Sequence, residues 1–211
     1  SISALCEKTG ADISEVAKAV GMDYRIGQHF LKSGPGFGGS CFKKDILNLV
    51  YICKLYGLNE VANYWKEVLK INHWQQNRLT NIIVKKLFGT VTNKKIGILG
   101  FAFKANTNDT RESPAIKICS NLLLEGAKLS IYDPKVKFQE ISDSLKNLDN
   151  TENDSYKTDD SICMASSYEQ LAKGSDAILI LTEWVEFKKI EWLKITKLMR
   201  KPSWIFDCRD I

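Results

Sequence analysis

The longest unbroken pattern in this 211-residue chain is a helical stripe from about Asn59 to Phe88, and it constrains the fold more than any other feature. Val61, Tyr64, Trp65, Val68, Leu69, Asn72, Leu79, Ile82, Ile83 and Leu87 recur at helical spacing, with no Gly or Pro until Gly89. Roughly 30 helical residues make a rod of about 45 Å, longer than one small domain can cover. A second chain or a further domain is expected to pack on it. The chain is 44% hydrophobic and 26% charged, enough to bury a core and enough to exclude disordered, collagen-like and mucin-like classes. No apolar stretch reaches the roughly 20 residues of a membrane span. A net charge of +5 fits an anionic ligand but is too small and dispersed to argue for nucleic acid.

The stripe also divides the chain. Before it, Asp12-Ile13-Ser14-Glu15 reads as a capped helix start running toward Gly21, and a second helix is expected from about Phe42 to Gly57. After Thr90 the period changes to that of buried strands, Lys95–Gly100, Lys128–Pro134, a short one near Ser161, Ala177–Leu181 and Trp204–Asp207. Helices at about 113–126, 168–173 and 190–199 alternate with them, which predicts an α/β fold with a doubly wound parallel sheet. We therefore expect a helical region over 1–90 and a Rossmann-like region over 91–211. The acidic, aperiodic tract 147–160 reads as a solvated surface loop without catalytic content. The chain opens at Ser1 inside a helix with no cap before it, so it reads as cut from something longer.

Six cysteines, at 6, 41, 53, 119, 163 and 208, show no CxxC pairing and no metal-ligand spacing, and only two histidines are present. Five read as reduced thiols of a cytoplasmic protein. Cys41 differs in its surroundings. Five of the 13 glycines fall at 27, 34, 36, 38 and 39, and the turn Lys32-Ser33-Gly34-Pro35-Gly36-Phe37-Gly38-Gly39-Ser40-Cys41 feeds the helix that starts near Phe42. Bare backbone lets a ligand approach, and a helix amino end beside Lys43 and Lys44 favours anions and a thiolate. Asp45 lies one turn further along, within reach of the thiol or of a water beside it. On these residues alone a packing turn before a helix explains the pattern equally well.

Gly36-Phe37-Gly38-Gly39-Ser40-Cys41-Phe42-x-Lys44-Asp45 resembles the active-site signature of the UDP-glucose/GDP-mannose dehydrogenase family. The likeness continues in register through Cys6–Asp12, Gly27, Gly97–Lys104, Asp109–Ser113, Ile131–Pro134 and Thr182–Trp184. It implies oxidation of the C6 alcohol of UDP-glucose to UDP-glucuronate with two NAD molecules in succession. In that scheme Cys41 is the nucleophile that forms a thiohemiacetal and then a thioester, and Asp45 assists proton transfer. The resemblance assigns substrate contacts to Arg25, Lys32, Ser33, Gly34, Pro35, Gly36, Phe37, Gly38, Lys104 and Arg209. Arg25 is expected to reach the sugar or pyrophosphate of the partner subunit's site. Cofactor contacts fall to Cys41, Phe42, Lys43, Lys44 and Arg111. Residues 1–90 would form the central, dimerising region and 91–211 the UDP-binding domain. Arg111 is also explained by an ion pair with Asp109 or Glu112, and Lys104 by a solvated position after a strand. Cys208 stands where the family usually has Gly, which bears on Arg209 beside it.

Gly97-x-x-Gly100 is not a full GxGxxG fingerprint, although Asp133 ends the second strand where a dinucleotide site would place its acid, so NAD could be assigned here on the residues alone. The resemblance instead makes this the UDP-binding half and implies that NAD is bound by a portion outside these residues, with the chain expected to be inactive by itself. Asp133 reads as a turn residue before Pro134. Another nucleotide sugar as substrate, and a non-catalytic dimerising nucleotide-binding module, are the competing readings.

Overall fold

The computed structural model describes residues 1–146 and 161–211, so the acidic tract 147–160 lies outside the described residues. The first four helices are α1 (Ile2–Thr9), α2 (Ile13–Gly21), α3 (Phe42–Leu55) and α4 (Asn59–Lys86). Asp12 caps α2 by accepting from the backbone N–H of Ser14 and Glu15, as the sequence pattern requires. α3 and α4 pack through Ile46, Val50, Cys53 and Ala62, with Trp65, Val68 and Leu69 around them. The 28 residues of α4 make a strut of about 42 Å. Its far end carries Ile83 and Leu87 into a second, larger core.

That core surrounds a parallel sheet of β1 (Lys95–Leu99), β2 (Lys128–Tyr132), β3 (Ile162–Met164), β4 (Ala177–Ile180) and β5 (Trp204–Asp207), in the order β3-β2-β1-β4-β5. β1 pairs with β2 from Lys95↔Lys128 to Leu99↔Tyr132 and with β4 from Ile96↔Ala177 to Leu99↔Ile180. β1 and β4 are apolar and buried along nearly their whole length because helices cover both faces of such a sheet. The crossover helices are α5 (Pro114–Leu124), α6 (Phe138–Lys146), α7 (Tyr168–Ala172) and α8 (Trp192–Leu198). Ser113 opens α5, accepting from Ala115 N–H and donating to the Phe101 carbonyl at 2.7 Å, with Pro114 in the first turn. α6 and the 3-10 turn Val185–Lys189 were not anticipated, although Ile141 and Leu145 stand at i,i+4 and are both buried.

In this strand order the chain reverses direction of winding between β1 and β4. Ligands of open α/β sheets bind outside the carboxyl ends of the strands at that switch point. The segments that leave β1 and β4 there are Gly100–Lys104 and Leu181–Trp184.

Candidate active site

Asp133, at the end of β2, organises this edge of the sheet. Its carboxylate is 5% exposed and accepts from five groups. One oxygen takes the N–H of Phe101 at 2.7 Å, of Ala102 at 3.1 Å and the Trp184 indole N–H at 3.3 Å. The other takes Lys135 and Val136 N–H at 2.9 and 3.0 Å. The turn role expected from the sequence is thus the smaller part of its work, because the same carboxylate fixes the loop after β1. Thr182 adds a hydrogen bond of 2.7 Å to the Ala102 carbonyl and ties the loops after β1 and β4 together.

Arg209 reaches into that edge from beyond β5. Its side chain is 14% exposed; it donates to the Leu181 carbonyl at 2.8 Å and the Phe103 carbonyl at 3.3 Å, and pairs with Glu183 at 3.2 Å. Burial lowers its pKa, and the Glu183 carboxylate partly offsets that. A guanidinium starts so high that it stays charged. Cys208 does not distort the segment: positive φ falls at Asp210 instead, and burial pushes the Cys208 thiol up to about 12. Lys104 is exposed, with its ammonium 5.3 Å from the Phe103 ring centre.

The glycine loop lies over this edge. A Cβ built on Gly34 would meet the Arg209 guanidinium at 3.3 Å, so the loop and the buried arginine are neighbours. Gly38 packs on the Glu112 backbone so tightly that a Cβ there would sit 2.3 Å from the carbonyl oxygen. Gly39 donates to the Arg111 carbonyl at 2.9 Å and lies against the Phe103 ring. Lys43, on the first turn of α3, pairs with Glu112 at 2.9 Å. Lys32 is exposed, Ser33 and Phe37 half-buried and Pro35 buried. The Phe37 ring meets Phe42 edge-on at 4.7 Å.

Cys41 takes the N-cap position of α3 and is exposed, with Ser40 Oγ 3.7 Å from its Sγ. Lys44 and Asp45 are exposed on the first turn, and Asp45 N–H bonds the Cys41 carbonyl at 2.9 Å as the helix requires. Arg111 is held by Asp109, at 2.8 Å, rather than by Glu112. The Arg111 hydrogen bonds hold the Asp109 carboxyl below the usual range, and the same pairing with Asp109 raises the guanidinium. Arg25 is 74% exposed and bound by Asp23 of its own turn at 2.6 Å, so its contacts lie outside this cluster.

Four site residues escaped the sequence reading: Asn72, Gln75, Glu112 and Glu183. Asn72 accepts Phe37 N–H at 2.8 Å and donates to the Phe37 carbonyl at 3.1 Å, and Gln75 donates to the Gly34 carbonyl at 3.1 Å. A polar Asn standing in the apolar stripe of α4 was the available signal.

Two family descriptions cover this arrangement. The central domain of the UDP-glucose/GDP-mannose dehydrogenase family matches residues 1–74, and the UDP-binding domain of the same family matches 97–211. The chain belongs to this family. The whole chain is 51% identical to UDP-glucose 6-dehydrogenase 4 of Arabidopsis thaliana and 50% identical to the UDP-glucose 6-dehydrogenase of Drosophila melanogaster. It spans 45% and 44% of their lengths, less than half of either relative. Among solved structures, a UDP-glucose dehydrogenase from Pyrobaculum islandicum superposes with a TM-score of 0.77 at 28% identity, over 96% of this chain and 41% of that one. The α/β architecture expected from the sequence, with its parallel sheet and long helix, is the one that family shares. Among the described residues, no helix is long and apolar enough to cross a membrane.

Proposed function

We propose that these residues are the substrate half of an NAD-dependent UDP-glucose 6-dehydrogenase. The observation that carries this reading is the seating of the glycine loop. It lays Gly34 against the largely covered Arg209 guanidinium and carries an exposed cysteine at a helix amino end toward the switch-point edge of a nucleotide-type sheet. Arg209 and Lys104 offer cationic groups to a pyrophosphate, and loop 32–38 follows the nucleotide sugar with its backbone. Residues 91–211 form the UDP-binding unit and 1–90 the catalytic and dimerising unit.

Cys41 adds its sulfur to the C6 aldehyde, giving a thiohemiacetal that is a competent hydride donor, as the free aldehyde is not. Hydride loss from the thiohemiacetal leaves a thioester, and Asp45, one turn along, handles the proton of the water that hydrolyses it. NAD supplies the hydride acceptor. The donor set at the start of α3 suits its anionic pyrophosphate: exposed Lys44 and the exposed Arg111 guanidinium, with Phe42 and Lys43 contributing backbone.

α4 exposes Val61, Tyr64, Ile71 and Trp74 at 43%, 68%, 44% and 45%, and we assign this face to a second copy of the chain. Arg25, held in an exposed turn, would then serve the partner's site. The free cysteines fit a reducing cytoplasm.

The test is NADH formation from UDP-glucose by a chain extended to the length of its relatives, compared with its Cys41→Ser variant. Loss of turnover in the variant supports the reading; full activity would mean that Cys41 is not the nucleophile. Preference for a UDP-N-acetyl sugar or GDP-mannose would reassign the substrate, and absence of turnover in the extended parent chain would leave a binding module.

A further inference from the structure

The segment Gly36-Phe37-Gly38 has a glycine on each side of Phe37, so its own backbone torsions restrain it little. Only three residues separate Phe37 from Cys41, and where Phe37 is anchored limits where the thiol can sit. The anchor is on α4. The Asn72 carboxamide pairs with both polar groups of the Phe37 peptide, as a neighbouring strand would, at 2.8 and 3.1 Å. One turn along, Gln75 holds the Gly34 carbonyl at 3.1 Å. Gly36, at φ 130°, passes so close that a Cβ would lie 2.5 Å from Asn72 Oδ1. The loop is therefore shaped to this one side chain, across 35 residues of sequence.

We propose that Asn72 is a positioning residue for the nucleotide-sugar loop and for Cys41. It acts through Phe37 and does not touch the substrate, and the proposal deepens the function assigned above by naming the side chain that presets its loop. Alanine at this position leaves the Phe37 N–H and C=O without protein partners, and aspartate keeps an acceptor while placing a second acceptor against the Phe37 carbonyl.

The experiment uses the 211-residue chain as wild type, Asn72→Ala, Asn72→Asp and a control, Val84→Gly. Val84 lies three turns further along the same helix and packs on the larger core, so glycine there weakens the helix away from the loop, whose Phe37 packs on the other core. Amide exchange of residues 37–39, calorimetric titration with UDP-glucose and the urea midpoint are measured for each. In both Asn72 variants, exchange at 37–39 and the UDP-glucose Kd are expected to rise about tenfold or more. The control should lower the midpoint while leaving exchange and Kd within about twofold of wild type. Asn72 variants that merely track the control would overturn the positioning role. If the wild-type chain takes up no UDP-glucose, the substrate reading fails, and exchange at 37–39 alone decides the clamp: acceleration in the Asn72 variants supports it and unchanged exchange overturns it.

Discussion

Replacing Asp133 by asparagine is the most informative single perturbation of this molecule, because shape is kept and one acceptor is lost. The carboxylate takes three N–H groups on one oxygen and two on the other. An asparagine must point its own NH2 at one of these sets. The less harmful orientation faces Lys135 and Val136 and leaves two N–H groups without an acceptor. At about 1–3 kcal/mol for each orphaned donor, the loss is about 2–6 kcal/mol, and the three remaining bonds also lose their charge assistance. Asp133→Ala strands all five donors and should cost more. Chains of this size have urea m-values of about 2–3 kcal/mol/M, so the midpoint for Asp133→Asn should fall by about 0.7–3 M. Tryptophan fluorescence reads the transition directly, since Trp184 is one of the five donors. A midpoint for Asp133→Asn within about 0.3 M of wild type would refute the reasoning, because orphaning the buried Val136 N–H together with the part-buried Lys135 N–H cannot be that cheap.

Gly38→Ala should unseat the cysteine loop, since the added carbon meets the Glu112 backbone at 2.3 Å and neither segment is a flexible side-chain end. A loss of about 1–3 kcal/mol in urea titration and faster alkylation of Cys41 are expected, and a well-tolerated alanine would contradict the close packing. Arg209→Lys removes the fork that spans the Leu181 and Phe103 carbonyls, and UDP-glucose affinity measured by calorimetry should fall about tenfold or more. The Cys208 thiol is raised in the folded chain from 9.0 to about 12, so the folded state holds its proton longer than the unfolded one. That contribution to stability is intact below about pH 9 and is lost as pH rises from there toward 12. Urea midpoints between pH 8 and 10.5 should therefore fall less steeply in Cys208→Ala than in wild type, and parallel curves would count against the burial.

What the sequence determined by itself is what depends on near neighbours along the chain. The stripe of α4, the capped start at Asp12, the glycine turn that ends in Cys41 and the alternation of strands with helices after Thr90 are all local patterns. Each periodicity reports which face must leave water, so the architecture follows from hydrophobic burial. α6 was missed despite its buried Ile141 and Leu145, because two apolar positions among polar neighbours make a weak periodic signal. The tertiary structure alone decided who holds the loop. Asn72 meets Phe37 across 35 residues, Lys43 meets Glu112 across 69, and Asp133 gathers donors from up to 51 residues away. A carboxamide or carboxylate reads the same in any sequence window, and its meaning comes from the unpaired backbone groups that folding brings to it. The cysteine and its glycines were legible because they form one continuous motif, whereas Asn72 and Asp133 bind backbone, and Glu112 the Lys43 ammonium, far along the sequence.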